Sequence, residues 1–108
     1  MRFDWDEEKS RSNTAKHGVS FELAKLVFED PFVKTVPDPF EEEARWRTFG
    51  MVEGSVIVLL VIHTWTEEEI EGQEEGEEGR EEVVRIISAR RATRQERRSY
   101  EESFTENY

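Results

Sequence analysis

The sequence predicts an α+β domain in which two N-terminal helices precede a four-stranded, mainly antiparallel sheet and a C-terminal helix. Three observations predict this class: helical spacing of apolar residues in the first third, a change to period two after Pro31, and turn signals between consecutive strands. The chain has 108 residues and no cysteine. That length suits one domain, expected to span 1–108, and the composition excludes a disulfide scaffold or a thiolate metal site.

Two short helices are predicted in the first third. The first covers Glu7 to Lys16, with Asp4 and Glu7 at capping-box spacing, and Gly18 suits the left-handed position that ends it. Ser20 is the expected N-cap of the second helix. The buried stripe of that helix consists of Phe21, Leu23, Ala24, Val27 and Phe28. These helices and the C-terminal helix described below are expected on one face of the sheet, which leaves an arginine-bearing opposite face partly open.

Four strands and a helix follow. We expect the strands at Phe32–Val36, Ala44–Val52, Ser55–Trp65 and Glu82–Ala89. Residues 2–5 alternate polar and apolar, which suits a short strand or an extended entry. The third of the four strands is apolar on both faces, as is typical of a central strand. The C-terminal helix starts from about Arg94 with a Thr93–Glu96 capping box, and it docks through Tyr100 and Phe104.

The net charge of −11 hides two oppositely charged segments. Glu67–Glu82 carries ten Glu and one Arg, whereas Val83–Arg98 carries six Arg and one Glu. We interpret residues 66–82 as a disordered acidic loop, because like charges repel and glycines add backbone entropy. The simplest role of this loop is solubility. The alternative is an intramolecular mimic of a polyanion that rests over the arginines.

Arginine is the most informative residue type, because it makes up 11 of the 15 basic residues and guanidinium groups bind phosphate in a bidentate way. Arg45 and Arg47 are expected on one strand face, where they would clamp neighbouring phosphates. Arg85 interrupts an apolar strand, so it serves the same site, pairs with a carboxylate such as Glu43, or does both. Arg90 joins the face of Arg85 only if a bulge or a strand end lies between them.

The two histidines suit proton transfer in RNA cleavage, in which a 2′-hydroxyl attacks the adjacent phosphate. Each also has a structural interpretation: His17 caps a helix, and His63 is a strand residue near the sheet edge. Lys16 is either a cation for the phosphate or a solvated side chain. The sequence has no phosphate loop, zinc spacing or nucleophile elbow, so we expect neither a metal nor a cofactor.

Six stretches form a pattern: Phe3–Lys9, Lys16–Glu22, Val27–Pro31, Ala44–Trp46 with Gly50, Arg85–Ala92 and Glu96–Tyr100. In this order they resemble the BrnT toxin family of bacterial type II toxin–antitoxin systems. The resemblance implies a RelE-like fold and metal-independent RNA cleavage that arrests translation. Its matching positions imply the catalytic candidates Lys16, His17, Arg45, Arg85 and Arg90. Glu43 is added because it precedes Arg45 by two residues and so lies on the same strand face. Candidate RNA-binding residues are Arg47, His63 and Arg91.

The resemblance also implies partners: a ribbon-helix-helix antitoxin, an RNA substrate, and operator DNA contacted only through the antitoxin. No membrane partner is expected, because the longest apolar run, Val56–Ile62, is too short to cross a bilayer. A cytoplasmic location is the default. The chain reads His63-Thr64-Trp65-Thr66 where family members often carry Thr-Glu-Arg. An inactive relative that binds without cutting is therefore one alternative. A second alternative, from composition alone, is an acidic regulatory protein that binds a basic partner through Glu67–Glu82.

Overall fold

The structure, a computed structural model, describes residues 1–39, 43–70 and 79–105. In this part of the chain, three helices and a five-stranded mixed sheet form an α+β fold. The helices are α1 (Glu7–His17), α2 (Phe21–Ala24), which a 3-10 helix (Lys25–Glu29) continues, and α3 (Arg94–Thr105). The strands are β1 (Arg2–Asp4), β2 (Lys34–Pro37), β3 (Trp46–Met51), β4 (Val58–Glu69) and β5 (Arg80–Arg91). None of the described helices combines the length and the apolar character that a bilayer crossing requires.

The sheet has the strand order β1-β5-β4-β3-β2, so β4 is central, as predicted. Its consecutive strands from β2 to β5 are antiparallel, whereas β1 pairs parallel with Val83–Arg85 of β5. The prediction of four strands is therefore wrong by one. Three residues are too few for a period-two pattern to separate a strand from an extended entry, and the partner of β1 lies about 80 positions away.

The two faces of the sheet differ in how far helices cover them. One face, which we call the helical face, packs against α1 and α2. Its buried apolar residues are Val19, Phe21, Ala24, Val27, Leu59, Val61, Val84, Ile86 and Ala89. The other, which we call the open face, carries Arg47, Phe49, Leu60, Ile62, Thr64, Arg85 and Arg90. The expectation that all the helices lie on one face is wrong for α3, which covers one end of the open face, where Tyr100 packs with Phe49, Val58 and Leu60. The spacing of apolar residues in a helix shows which side of it docks but not against which face of the sheet.

Local signals position α1 and α2. Asp6, rather than Asp4, caps α1, because its carboxylate accepts the Glu8 and Lys9 amides. Gly18 ends the helix with a φ of 73°, as predicted for a left-handed position. Ser20 accepts the amide of the third residue of α2, which confirms it as the N-cap. Within the predicted stripe, Leu23 departs from expectation because 39% of it is exposed.

The acidic segment is ordered at both ends, so the prediction of a disordered loop over residues 66–82 is wrong there. Residues 66–69 continue β4, and residues 80–82 begin β5. Ion pairs offset part of the acidic repulsion: Arg80 lies 3.6 Å from Glu67, and Arg2 lies 2.5 Å from Glu68. The middle of the predicted loop, residues 71–78, lies outside the described residues.

The C-terminal helix begins with the predicted capping box. The Thr93 amide donates to the Glu96 carboxylate at 2.8 Å, and the Glu96 amide donates to the Thr93 hydroxyl at 3.2 Å. Tyr100 docks the helix, and its hydroxyl donates to Asp30, which also accepts the Met51 amide at 2.8 Å. Burial raises the pKa of Tyr100, so the phenol stays protonated. The side chain of Phe104 lies outside the described part of the chain.

One buried amide joins α1 to the sheet. The Asn13 Nδ2 donates to the carbonyls of Val19 and Ala89, both at 2.7 Å, and the Ala89 amide donates to Asn13 Oδ1 at 3.2 Å. Because β1 pairs with β5 only at residues 83–85, this amide takes the place of a neighbouring strand at Ala89. It fixes the C-terminal end of α1 beside the C-terminal end of β5.

Candidate functional site

A β-bulge decides which face of β5 carries the arginines. The register between β4 and β5 shifts at Ile62/His63 and leaves Ile87 as an extra residue. Since strand side chains alternate between faces, an unbroken strand would put Arg85 and Arg90 on opposite faces. The bulge brings both to the open face. A bulge between Arg85 and Arg90 is the condition that the sequence analysis gives for these two side chains to share a face.

The arginines of β3 also point to the open face. Arg47 lies opposite Ile62 of β4, and the Asp38 amide donates to the Arg45 carbonyl at 2.8 Å, which extends the β2–β3 pairing by one residue. Arg45 is therefore two strand positions from Arg47, and both face the same way, as predicted. Because β4 lies between β3 and β5, the cations of β3 and β5 flank a strip of the open face that is about 10 Å wide.

A carboxylate orients each of these four arginines. The pairs are Arg45–Glu43 at 2.8 Å, Arg47–Asp38 at 2.6 Å, Arg85–Asp4 at 2.8 Å and Arg90–Glu96 at 2.8 Å. The partner of Arg85 is thus Asp4, not Glu43. Between 27% and 48% of each arginine side chain is exposed, so solvent reaches all four. The carboxylates of Glu43 and Asp4 are about half-exposed, and exposed ion pairs contribute no more than about 1 kcal/mol, so a phosphate can compete with them for Arg45 and Arg85.

Arg90 is held more firmly than the others. Its guanidinium donates two hydrogen bonds to Glu96, at 2.8 and 3.1 Å. This hydrogen bonding raises the pKa of Arg90 and lowers the pKa of Glu96. Because Glu96 also caps α3, Arg90 connects the helix to the sheet, and its role on the open face is partly structural.

His63 lies in the core of the central strand rather than near the sheet edge, and its burial does not fit the RNA-binding role expected for it. It is 0% exposed on the helical face of the central strand, with its ring 5.0 Å from that of Phe28. Its Nε2 lies 2.6 Å from the Thr48 hydroxyl, and its Nδ1 lies 3.0 Å from the Thr64 carbonyl. Burial lowers the pKa of His63. Strand periodicity alone does not reveal that a polar residue has internal partners.

We expect the free energy of unfolding to decrease as the pH falls below about 6.5, the ordinary pKa of histidine. Since the pKa of His63 is lower in the folded protein, the unfolded chain binds a proton there that the folded chain does not. Above that pH the residue is neutral in both states. Urea unfolding at pH 7.5 and 5.5 measures the effect, and His63→Gln should reduce the difference. An equal pH dependence in both proteins would contradict this assignment.

The structure does not bring Lys16 and His17 to the open face. His17 ends α1, and it lines a cavity of about 320 Å³ together with Arg91, on the helical side of β5. Lys16 precedes His17 and is exposed. The predicted site residues therefore form two groups. Arg45, Arg47, Arg85, Arg90 and Glu43 belong to the open face, and Lys16, His17 and Arg91 lie at the end of α1.

Sequence reasoning identified Glu43 but missed the other three carboxylates that orient the arginines. Asp4 and Asp38 lie 81 and 9 positions from their partners, and Glu96 is recognisable in sequence only as a helix cap. The Asp38 carboxylate is 1% exposed, and its Oδ2 has no partner among the described residues. Across residues 1–39, 43–70 and 79–105, no group of three or more candidate ligands is placed to hold a metal ion.

Comparison with known proteins identifies the family. A family model described as the ribonuclease toxin BrnT of type II toxin–antitoxin systems matches residues 5–96. The match contains Arg45, Arg47, Arg85 and Arg90, and it ends at Glu96, the capping-box residue of α3. A search of curated proteins finds no match. Since the family model covers most of the chain, this protein belongs to the BrnT family of ribonuclease toxins.

Proposed function

We propose that the open face is where this ribonuclease toxin binds and cleaves RNA, with Arg45 and Arg85 as its catalytic cations. Membership of the family makes RNA the substrate and an antitoxin the partner. The observation that carries the proposal is the register of the sheet, in which Arg85 pairs with Thr64 of β4 and Trp46, the neighbour of Arg45, pairs with His63. Arg85 and Arg45 therefore share the solvent-exposed open face on the two sides of β4, and the bulge at Ile87 adds Arg90 to it.

Arginines in this position suit metal-independent cleavage. Attack of a 2′-oxygen on the adjacent phosphate builds up extra negative charge on the phosphorane. Guanidinium groups stabilise that charge most when they are oriented before the reaction, because no reorganisation is then needed. The pairs with Glu43 and Asp4 supply this orientation, and their exposure leaves the N–H donors within reach of RNA.

Glu43 is the best-placed proton acceptor on this face. Its carboxylate lies 2.8 Å from Arg45 Nε and is half-exposed. In the proposed step Glu43 takes the 2′-hydroxyl proton, the new P–O bond forms, and the bond to the 5′-oxygen breaks. Solvent on the exposed face protonates that leaving oxygen. Lys16 and His17 are left out of this step because they lie on the other side of β5.

We further propose the finer identity of the partners. The antitoxin is a ribbon-helix-helix protein, and the complex contacts operator DNA through it. The strongly acidic toxin, with a net charge of −11, supports this division because it is a poor ligand for DNA by itself. Cleavage of RNA in the cytoplasm then arrests translation.

Arg85→Ala tests the function. We expect RNA cleavage to slow at least about a hundredfold, the usual cost of removing one donor to a developing anion. Growth arrest on induced expression should be lost as well. Folding should be retained, because the Arg85–Asp4 pair is half-exposed. An RNA degradation assay with circular dichroism measures both, and Arg80→Ala is the matched control, since Arg80 lies on the same strand but on the other face.

Two outcomes would contradict the proposal. If Arg85→Ala unfolds the protein, the role of that side chain is structural. If the wild-type protein binds its antitoxin but neither cleaves RNA nor arrests growth, it is an inactive member of the family. The departure from the family pattern at His63-Thr64-Trp65-Thr66 is the reason for this alternative. Where the wild type cleaves RNA, Arg80→Ala should cleave it normally, because this control separates the open face from strand β5 as a whole.

A further inference from the structure

The cavity at the end of α1 has the composition of a small-molecule site. Its walls are mainly apolar: Val19, Leu23, Val52, Ile57 and Leu59. His17, Ser55 and Arg91 supply polar groups. A volume of about 320 Å³ is at the small end of the range for ligand pockets, which usually combine apolar walls with a few polar groups. The cavity therefore suits one small ring system better than a helix of a partner protein.

Arg91 differs from the four arginines of the open face, because no carboxylate among the described residues pairs with it. Its side chain is exposed, and the exposed His17 beside the same cavity also has no polar partner in the described ranges. An available guanidinium next to an imidazole suits a phosphate group, which the guanidinium binds in a bidentate way.

The fold holds these two side chains together. Asn13 of α1 is bonded to Ala89 of β5. His17 follows Asn13 by one helical turn, a rise of about 6 Å. Arg91 follows Ala89 by two strand residues, about 6.6 Å, and lies on the same face. The imidazole and the guanidinium are therefore carried to the same cavity by elements that a buried amide fixes to each other.

We propose that this cavity binds one nucleotide of the RNA substrate, with the base between the apolar walls and a phosphate at Arg91 and His17. Arg90 and Arg91 are adjacent but lie on opposite faces of β5, so an RNA strand that leaves the open face at Arg90 meets Arg91 around the end of the strand. The choice of ligand rests on the proposed function, whereas the cavity and its cations do not.

Ser55 gives the cavity a means of distinguishing bases. Its hydroxyl oxygen already accepts the Ile57 amide at 3.0 Å, which leaves the hydroxyl proton free to donate. That proton suits a carbonyl or ring-nitrogen acceptor on the edge of a base. The apolar walls at Leu23 and Ile57 pack against the faces of the base but do not distinguish one base from another.

Binding is tested on the full-length protein with the four 5′-mononucleotides, the corresponding nucleosides and inorganic phosphate. The imidazole NMR signals report the site, because His17 lines the cavity and the buried His63 is an internal reference. We expect nucleotides to shift the His17 signals and leave those of His63 unchanged. Arg91→Ala should weaken binding at least tenfold, and Leu23→Trp should block it by filling the cavity. Arg94→Ala, an exposed arginine without a polar partner in the described ranges, should bind as the wild type does.

The outcomes separate this inference from the proposed function. Unchanged His17 signals, or equal affinities of Arg91→Ala and Arg94→Ala, would overturn the nucleotide site whatever the cleavage assay shows. Equal affinities for inorganic phosphate and nucleotides would overturn the base-binding part. A shift of His17 with the antitoxin but not with nucleotides would assign the cavity to the antitoxin. If nucleotides bind as expected but Arg45→Ala cleaves RNA normally, the cavity stands and the proposed function of the open face fails.

Discussion

Replacing Arg45 and Arg85 together by alanine is expected to slow RNA cleavage at least a thousandfold, which corresponds to about 4 kcal/mol of activation free energy. The two guanidinium groups come from strands on either side of β4, so they approach a phosphate on the open face from two directions. Each is already oriented by a carboxylate, through Glu43 and Asp4. Removing both takes away the preorganised positive charge that the phosphorane needs.

The size of the double effect tests whether the two arginines converge. If both stabilise the same phosphorane, the loss in the double variant should be smaller than the product of the single losses, because either change alone already disrupts the site. Losses that multiply would show that the two side chains contribute independently, without the coupling expected of one shared site. Arg45→Lys should also lose activity, since a single ammonium does not reproduce the guanidinium fork.

Single-turnover rates on one RNA measure the series, with circular dichroism as the test of folding. The matched control is the double variant Arg80→Ala/Arg94→Ala, which changes the net charge equally but leaves Arg45 and Arg85 intact. It should cleave RNA at the wild-type rate. Equal losses in the control and in the test variant would mean that total charge, rather than the open face, governs the reaction.

The sequence predicts this fold best where a signal and its consequence are neighbours in the chain. Gly18, Ser20 and the Thr93–Glu96 box act within one helical turn, and all of them are observed. The alternation in residues 2–5 does not decide between strand β1 and an extended entry, and nothing in the sequence predicts the ordered ends of the acidic segment. Their stability comes from backbone hydrogen bonds between strands and from ion pairs such as that of Arg2 with Glu68, which lie 66 positions apart.

The site was predictable in its residue types but not in its arrangement. Arginine is recognisable as a phosphate ligand from its chemistry, so Arg45 and Arg85 stand out in sequence. Whether Arg90 joins them depends on the extra residue at Ile87, and nothing in the apolar run around it marks a bulge. Likewise, the burial of His63 depends on partners from other elements. The separation of the predicted site residues into two groups, one on the open face and one at the end of α1, likewise depends on contacts between distant parts of the chain.

The largest effect on stability is expected for Asn13→Leu, which should lower the free energy of unfolding by about 3 kcal/mol or more. Leucine has a similar size but forms no hydrogen bonds, so the carbonyls of Val19 and Ala89 and the Ala89 amide would stay buried without partners. An unsatisfied buried polar group costs about 1–3 kcal/mol, and this change creates up to three of them.

Urea unfolding of the variant measures the loss, and Ser12→Leu is the control, because Ser12 is the exposed neighbour of Asn13 on the same helix. Exposed substitutions usually change stability by no more than about 0.5 kcal/mol. A loss below about 1 kcal/mol in Asn13→Leu would contradict the expectation, since it would mean that water or a shifted backbone satisfies the edge of β5. In that case the contact that holds His17 beside Arg91 is weaker than the geometry implies. The nucleotide affinity of the cavity should then depend little on Asn13. A strong loss of stability in Asn13→Leu predicts instead that this variant also binds nucleotides more weakly.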